Sequence, residues 1–350
     1  MNLEKAHKCM AQGLEEQIFT GAVLLVARRK DEIFSTAYGR LGGQETTSVT
    51  ERTLFDLASL TKVLATTPAW IVLASSRPEI LDERISGWFP SVPGDKEKIT
   101  PRRLLAHISG LPAWRPYYLS RQKTSIIELA TNKILNEPLE YETGQDVLYS
   151  DLGFILLAAI LELETGEAFD SFCRESIYEP LGISQDLMFD PIGEEHRIAW
   201  TRPGELPGLL HDLNARTLGG VSGHAGLFGA AQAVAAVAGE ILAALKSEST
   251  LFDPEITRIF GRKVDSVPGC SRALGFDTPS QEGSSSGRFF SAGSLGHTGF
   301  TGTSLWIDVE RELTVVLLTN RVFMGESDLR IKAFRPAVHD AIMEDILTLE

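Results

Sequence analysis

Ser59 and Lys62 are the two residues of this chain whose types and spacing best fit a chemical reaction. Residues three apart are neighbours on the surface of an α-helix, so the serine hydroxyl and the lysine amine are expected to meet. A serine becomes a nucleophile when a base takes its proton, and a lysine whose pKa is lowered by burial can be that base. The apolar flanks at 63–65 and 70–73 favour such burial. The pair predicts an acyl-transfer nucleophile at a helix start, although the spacing alone also arises by chance.

A second cluster, Tyr149-Ser150-Asp151, lies in a loop just before the apolar segment that begins near Phe154. A tyrosine at such a helix entry could pass a proton between the nucleophile, the leaving group and Lys62. A nearby ammonium is expected to lower the pKa of the phenol by stabilising its anion. The alternative is a half-buried tyrosine that packs beneath the helix.

A third cluster, His297-Thr298-Gly299, precedes a probable strand edge. Gly299 allows a ligand to approach the backbone closely, and the N–H of Phe300 could then donate to an oxyanion. The alternative is a glycine-rich hairpin entry without a binding role.

The three clusters must be positioned by predicted strands near both ends of the chain and by predicted helices, most of which lie in the middle. Strand patterns occur near both ends, at 21–27, 33–37, 303–308 and 313–319. Helical patterns cover 3–19, most of 59–184, 232–245 and 331–347, and residues 188–229 look irregular. This order predicts an α+β fold, with a sheet domain built from 1–58 and 230–350 and a mainly helical domain, 59–229, inserted into it. The active site is expected at the interface between them.

Composition excludes several classes of function. The net charge of −14 disfavours nucleic acids and anionic membrane surfaces as partners. The three cysteines, Cys9, Cys173 and Cys270, have neither a disulfide framework nor zinc-site spacing. The spacing of these residues therefore predicts a protein without a metal. The sequence shows no signal peptide and no membrane span, which predicts a cytoplasmic protein. The oligomeric state is not encoded in any pattern we can interpret.

Together, S-x-x-K, Y-S-D and H-T-G resemble the three motifs of the serine β-lactamase and penicillin-binding-protein superfamily, whose relatives carry S-x-x-K, S-D-N and K-T-G. The tyrosine points to the branch that contains class C β-lactamases, D-amino-acid peptidases and related esterases. Further segments follow in family order from about residue 20 to 345, namely 104–112, 149–157, 165–166, 180–182, 211–215, 219–228 and 317–321.

The resemblance implies a β-lactamase/transpeptidase-like fold, with an antiparallel sheet flanked by helices, and a role for each matching residue. Ser59 would form the acyl-enzyme, Lys62 would deprotonate it, and Tyr149 would share proton transfer to the leaving group. The N–H groups of Ser59 and Phe300 would form the oxyanion hole. No metal or organic cofactor is implied, and the partner is a small ester, lactam or peptide substrate.

Two departures from the family pattern bear on the substrate. Asp151 stands where an asparagine is usual; an ionised Asp only accepts hydrogen bonds, and it could pair with Lys62 and raise the pKa of that amine. His297 replaces the usual lysine, and a largely neutral imidazole attracts a substrate carboxylate less than an ammonium does. These changes favour a carboxylesterase or a hydrolase of small amides. The alternatives are a β-lactamase, a D-alanyl-D-alanine carboxypeptidase, or a non-catalytic peptide-binding or scaffold relative.

Other residues carry weaker predictions. Trp114 and Tyr117 are expected either to form an aromatic wall for the acyl group or to pack at the surface, and His224 is expected at the mouth of the cleft. His211, Asp212 and His224 offer only a thin case for a metal or a triad, and His107 and His224 more plainly hold loops. The run 283–287 matches G-x-S-x-G but lacks the strand and helix that a nucleophile elbow needs.

Overall fold

A five-stranded antiparallel sheet joins strands from both ends of the chain, with the strand order β2-β1-β8-β7-β6. The computed structural model describes residues 1–42, 47–120 and 123–349. Its strands are β1 (Gly21–Arg28), β2 (Asp31–Gly39), β6 (Leu295–Thr298), β7 (Ser304–Asp308) and β8 (Leu313–Thr319). The predicted strands at both ends of the chain are therefore confirmed, and so is the mixed fold class.

A second, small sheet has the order β3-β5-β4 and lies beside the first turn of the Ser59 segment. Its strands are β3 (Phe55–Asp56), β4 (Leu187–Phe189) and β5 (Leu227–Gly229). The stretch 188–229, which looks irregular in the sequence, is thus tied at both of its ends into this sheet.

Helices cover both faces of the large sheet. They are α1 (Glu4–Glu15), α2 (Thr67–Ser76), α3 (Pro101–Leu105), α4 (Ile126–Asn132), α5 (Asp151–Thr165), α6 (Phe169–Cys173), α7 (Leu213–Thr217), α8 (Ala231–Leu245), α9 (Pro254–Gly261) and α10 (Ile331–Leu349). Within the described residues, no helix combines the length and the apolar character needed to cross a bilayer.

Side chains of β1, an inner strand of the large sheet, alternate between two hydrophobic clusters, as the period of two in a strand requires. Leu24 packs in a cluster with Trp306 and with residues of α1 and α10. Leu25 packs on the other face, in a larger cluster that also contains Leu60 and Leu157. Because this larger cluster runs without a break from the sheet into 59–229, the division into two domains stays a prediction.

Helix α5 is the buried centre of the helical region and carries Asp151 as its first residue. Ser150 caps it by accepting a hydrogen bond from the N–H of Gly153 at 3.2 Å, and its own hydroxyl donates to the Pro112 carbonyl at 2.7 Å. The N–H of Asp151 donates to the Ala113 carbonyl at 2.9 Å. These bonds fix the start of α5, and with it the direction of the Asp151 side chain.

Candidate active site

The Ser59 segment differs from the single α-helix that its spacing predicts. A tight 3-10 turn, Ala58–Leu60, is followed by a wide π-type turn, Lys62–Thr66, and only then by α2. The two side chains still meet, since Lys62 Nζ lies 3.1 Å from Ser59 Oγ. Wide turns of this type are rare and occur often at functional sites.

The residue before the serine is held in a strained backbone conformation. Ala58 has a φ of +46°, which for a residue with a Cβ costs on the order of 1–3 kcal/mol. The buried carboxylate of Asp56 offsets this by accepting from the N–H of Ala58 at 2.9 Å and from the N–H of His211 at 2.7 Å. Burial nevertheless raises the pKa of Asp56 above its usual range. Asp56 thus ties the turn that carries Ser59 to the loop at His211.

The side chain of Lys62 is completely buried, and three oxygen atoms lie within hydrogen-bonding distance of its amine. Its Nζ donates to Asp151 Oδ1 at 2.7 Å, to the His224 carbonyl at 3.0 Å and to Ser59 Oγ at 3.1 Å. Burial acts to lower the pKa of this amine, but the carboxylate of Asp151 outweighs it, and the pKa of Lys62 is raised. The expectation that burial lowers this pKa toward neutrality is therefore wrong, and the alternative of pairing with Asp151 applies.

Tyr149 lies with its ring 4.8 Å from Lys62 Nζ, between the rings of His107 and His297 at 4.7 and 5.8 Å. Its hydroxyl is buried and has no partner in full hydrogen-bond geometry within the described residues, although Lys62 and Ser59 are close enough to act on it. Burial raises the pKa of the phenol more than Lys62 lowers it. Tyr149 is thus a neutral phenol, contrary to the expected lowering, and can donate a proton.

The third cluster ends β6 beside the Ser59 turn. His297 is buried, and burial, followed by Lys62 and Arg272, lowers the pKa of its imidazole well below the usual range. Its Nδ1 lies 2.9 Å from the Thr298 carbonyl, which can only accept, so we assign the proton to Nδ1. The ring is neutral and lies against the ring of Tyr149.

Gly299 occupies a position with no room for a side chain. A Cβ there would lie 2.1 Å from Thr303 Oγ1 and 2.6 Å from the Leu57 carbonyl. The N–H of Gly299 donates to the Thr303 carbonyl at 2.7 Å, and Thr303 Oγ1 donates to the Leu57 carbonyl at 3.1 Å. The close packing of this loop against the residues that precede Ser59 therefore depends on the glycine.

Replacing Gly299 by Ala is expected to lower kcat/KM by about 100-fold, because even a 1 Å shift of a catalytic group has that effect. Overpacking is also expected to cost about 1–3 kcal/mol of unfolding free energy, measured by urea denaturation. Gly87→Ala is the matched control, since a Cβ at Gly87 meets nothing within 4 Å. Equal kinetics for the two variants would contradict the proposed fit.

A pocket of about 430 Å³ opens above Ser59. Six of the predicted site residues line it: Ser59, Trp114, Tyr149, Asp151, His224 and Phe300. Lys62 lies beneath its floor, bonded to Ser59 and Asp151. His297, Thr298 and Gly299 are not among the lining residues and instead support the Phe300 turn.

Tyr117 is not part of the pocket, so its prediction as an aromatic wall is wrong. Its hydroxyl donates to Glu137 at 3.0 Å, and the next residue, Tyr118, lines the pocket and packs 6.2 Å from the Trp114 ring. The short 3-10 turn at 117–120 decides which of the two adjacent tyrosines faces the pocket. The sequence pair Tyr-Tyr contains no signal for that choice.

His224 and Asp212 form a fixed pair at the pocket wall. His224 Nε2 lies 3.1 Å from Asp212 Oδ1, and its Nδ1 lies 2.8 Å from Ser222 Oγ. Burial opposes ionisation of Asp212, but His224 lowers the pKa of this carboxyl well below its usual range. Ser222 is fully buried, so this arrangement holds the loop and is not a second nucleophilic triad. Within the described residues no group of three or more metal-binding side chains is present.

Sequence reasoning missed Arg202, Asn214 and Glu326, which complete the polar side of the pocket. Glu326 Oε1 lies 3.0 Å from Arg202 Nη2 and 3.1 Å from His211 Nε2. Arg202 and Glu326 come from separate loops, and Asn214 lies on α7, within the segment 211–215. No local pattern marks any of the three as a pocket residue.

Two other locations do not compete with this pocket. A larger cavity of about 610 Å³ near Arg52 and Arg197 is lined by none of the predicted catalytic residues. Ser285, the central serine of the 283–287 run, lies in a loop without the strand-turn-helix context of a nucleophile elbow.

The family to which the chain belongs and the relatives it resembles identify it as a serine hydrolase, whereas the catalytic roles of Ser59, Lys62 and Tyr149 stay a prediction. The chain belongs to the β-lactamase family, whose model, described as "Beta-lactamase", matches residues 6–337. It is 34% identical to an N-acetylmuramyl-L-alanine amidase of Bacillus subtilis (strain 168), over 87% of this chain and 77% of that protein. It is 31% identical to a putative D-alanyl-D-alanine carboxypeptidase of Escherichia coli (strain K12), over 91% of this chain and 83% of that one.

Solved structures show the same fold. The structure titled "EstCE1, a hydrolase with promiscuous acyltransferase activity" superposes with a TM-score of 0.78 at 22% identity, covering 97% of each chain. A penicillin-binding-protein homologue from Caulobacter crescentus gives a TM-score of 0.76 at 18% identity, again over 97% of each chain. The fold class inferred from the sequence is therefore confirmed.

Proposed function

We propose that this protein hydrolyses an amide bond through an acyl-enzyme on Ser59. The observation that carries the proposal is the contact of Ser59 Oγ with Lys62 Nζ at 3.1 Å, on the floor of a pocket walled by aromatic side chains. Ser59 and its base thus lie within the reach that nucleophilic catalysis needs.

In the proposed reaction, deprotonated Lys62 takes the proton of Ser59 as Oγ attacks the substrate carbonyl. The neutral phenol of Tyr149 donates a proton to the leaving amine as the C–N bond breaks, and the tyrosine is restored from Lys62. Water then gives a proton to the Lys62–Tyr149 pair as it attacks the acyl carbon of the ester on Ser59. The C–Oγ bond breaks, the pair passes the proton to Ser59 Oγ, and the acid is released.

Charge favours one type of amide over another. Three carboxylates, those of Asp151, Asp212 and Glu326, line the pocket. Lys62 is already paired with Asp151 at 2.7 Å, and Arg202, a cation that also lines the pocket, is paired with Glu326 at 3.0 Å. A carboxylate next to the scissile bond, as in a β-lactam or a terminal D-alanine, would be repelled there. Trp114 and Phe300 are 44% and 49% exposed and offer apolar faces to a neutral acyl group.

Of the activities named for the relatives, the amidase fits these charges better than the carboxypeptidase. We therefore propose a neutral, saccharide-bearing acyl group, such as the N-acetylmuramyl group in the name of the Bacillus subtilis relative. A carboxylesterase is the second candidate, favoured by the exposed aromatic faces and by the neutral His297 where the family usually has a lysine.

The test combines covalent labelling with a substrate panel. A fluorophosphonate is expected to add one phosphonyl group to the Ser59 peptide, with loss of fluoride, in the wild type and in the control Ser285→Ala. Mass spectrometry of muramyl dipeptide, a D-alanyl-D-alanine peptide, nitrocefin and p-nitrophenyl butyrate after incubation then ranks the substrates. Cleavage of the muramyl amide is the expected result, with weaker turnover of the D-alanyl-D-alanine peptide and nitrocefin, the two compounds that carry a carboxylate next to the scissile bond.

Two outcomes would change this assignment. Turnover of the ester without any amide would favour the carboxylesterase. Absence of the label from Ser59, together with absence of turnover, would favour a non-catalytic binding protein.

A further inference from the structure

Two buried arginines hold successive carbonyls of the turn that contains Phe300. Arg335, on α10, donates from Nη2 to the Gly299 carbonyl at 2.5 Å and to the Thr303 carbonyl at 3.0 Å. Arg321 donates from Nε to the Phe300 carbonyl at 2.8 Å, with its guanidinium carbon 4.5 Å from the centre of the Phe300 ring. Both cations lie behind the turn and outside the set of residues that line the pocket.

The peptide bond between Gly299 and Phe300 links Arg335 to the pocket. Every peptide bond of the described chain is trans, so the N–H of Phe300 points opposite to the Gly299 carbonyl. Because that carbonyl is directed at Arg335, the N–H is directed away from the arginine. Phe300 itself lines the pocket together with Ser59, and within the described residues no hydrogen bond uses its N–H.

We propose that Arg335 is a positioning residue for the oxyanion hole: its hydrogen bond to the Gly299 carbonyl aims and polarises the N–H of Phe300. This inference rests on the proposed function, since an oxyanion forms only during acyl transfer. Hydrogen bonds in series strengthen one another, and a cation on the carbonyl makes the N–H of the same peptide a better donor. An oriented donor of this kind acts on charge that develops in the transition state.

The charge of Arg335 persists under working conditions. Burial lowers the pKa of this guanidinium to about 9, with a smaller contribution from Arg321, so it stays protonated at neutral pH.

A similar arrangement occurs at the other expected oxyanion donor, the N–H of Ser59, since the Ala58 carbonyl accepts from Thr61 Oγ1 at 2.7 Å. That bond directs the N–H of Ser59 away from Thr61 in the same way.

Arg321 provides a matched control within the same turn. It holds the Phe300 carbonyl, which belongs to the next peptide, whose N–H is that of Thr301. It therefore supports the turn without polarising the N–H of Phe300. A merely structural role would affect both arginines alike, whereas the proposal separates them.

The experiment compares the wild type, Arg335→Met, Arg335→Lys and Arg321→Met on p-nitrophenyl butyrate and on its thionoester, in which C=S replaces C=O. Sulfur is a poor hydrogen-bond acceptor, so the ester-to-thionoester ratio of kcat/KM reports on the oxyanion hole. Complete loss of one oxyanion-hole donor costs about 100- to 1,000-fold in kcat. In Arg335→Met the donor is misdirected but still present, so we expect roughly a tenfold fall in kcat and in the ester-to-thionoester ratio, with KM little changed.

Arg335→Lys is expected to have an ester-to-thionoester ratio between those of Arg335→Met and the wild type, because lysine keeps a cation on the Gly299 carbonyl. If Arg335→Met does not fold, Arg335→Lys is compared with the wild type instead. Arg321→Met is expected to lower the melting temperature and to keep the wild-type ratio. An unchanged ratio in the Arg335 variants would overturn the inference while leaving Ser59 as the nucleophile. An ester rate that survives Ser59→Ala would instead overturn the proposed function itself.

Discussion

Ser59→Ala is expected to lower kcat by at least about 10⁴-fold on any substrate that the wild type turns over, because no covalent intermediate can then form. The variant should fold normally. Ser59 Oγ bonds to Lys62 Nζ, and Lys62 keeps Asp151 and the His224 carbonyl after the change. One such hydrogen bond contributes about 1 kcal/mol, so the melting temperature is expected to shift by only a few degrees.

The measurement is the initial rate of ester or amide hydrolysis by the purified variant, with thermal unfolding recorded in parallel. Ser285→Ala is the control, because it removes the serine of the alternative G-x-S-x-G run. Full activity in Ser59→Ala and loss in Ser285→Ala would reverse the assignment of the nucleophile. Lys62→Met is a poorer test, since it leaves Asp151 without its cation and would cost about 3–5 kcal/mol in stability if the site is desolvated.

Asp151→Asn is expected to shift the pH dependence of kcat/KM to lower pH by about 1–3 units, the usual effect of an adjacent opposite charge. Lys62 acts as a base only when deprotonated, so activity rises with pH through the pKa of this amine. Asp151 raises that pKa in the wild type, and burial alone lowers it. Removing the carboxylate therefore lowers the pKa, and the rise in activity occurs at a lower pH.

The pH profile of kcat/KM reports the ionisation of the free enzyme and is the measurement that checks this shift. Asp146→Asn is the control: it removes one negative charge from an exposed position in the loop before Tyr149, without a contact to Lys62. Identical profiles for Asp151→Asn and the wild type would show that Lys62 is not the titrating base. A uniform loss of activity without a shift would indicate that Asp151 contacts the substrate.

The contact between the candidate nucleophile Ser59 and its candidate base Lys62 could be predicted from the sequence because its signal is local. The spacing of Ser59 and Lys62 is enough to bring the side chains together even though the backbone forms a 3-10 turn and a π-type turn rather than one α-helix. Likewise, the apolar segments near both ends form strands of one sheet, since β1 and β8 are buried along nearly their whole length.

The protonation states could not be predicted in the same way. The pKa of Lys62 depends on Asp151, which is 89 residues away, and that of Tyr149 depends on how completely the phenol is buried. The contact of Arg335 with Gly299 spans 36 residues and joins α10 to the loop that follows β6. Such effects depend on distances of a few ångströms between segments that no periodicity connects.

The pairing of β1 with β8 has a consequence for how the chain folds during synthesis. Val23 is paired with Leu318, so one edge of β1 stays open while the intervening residues are made. At the usual rate of translation this interval lasts roughly 15–60 s. β2 can close the other edge at once as a hairpin. The open edge presents unpaired backbone N–H and C=O groups on a strand with apolar side chains, and it can pair with other chains. We therefore expect the newly made chain to aggregate more readily than the finished enzyme, and hydrolysis to begin only after β8 and α10 have left the ribosome.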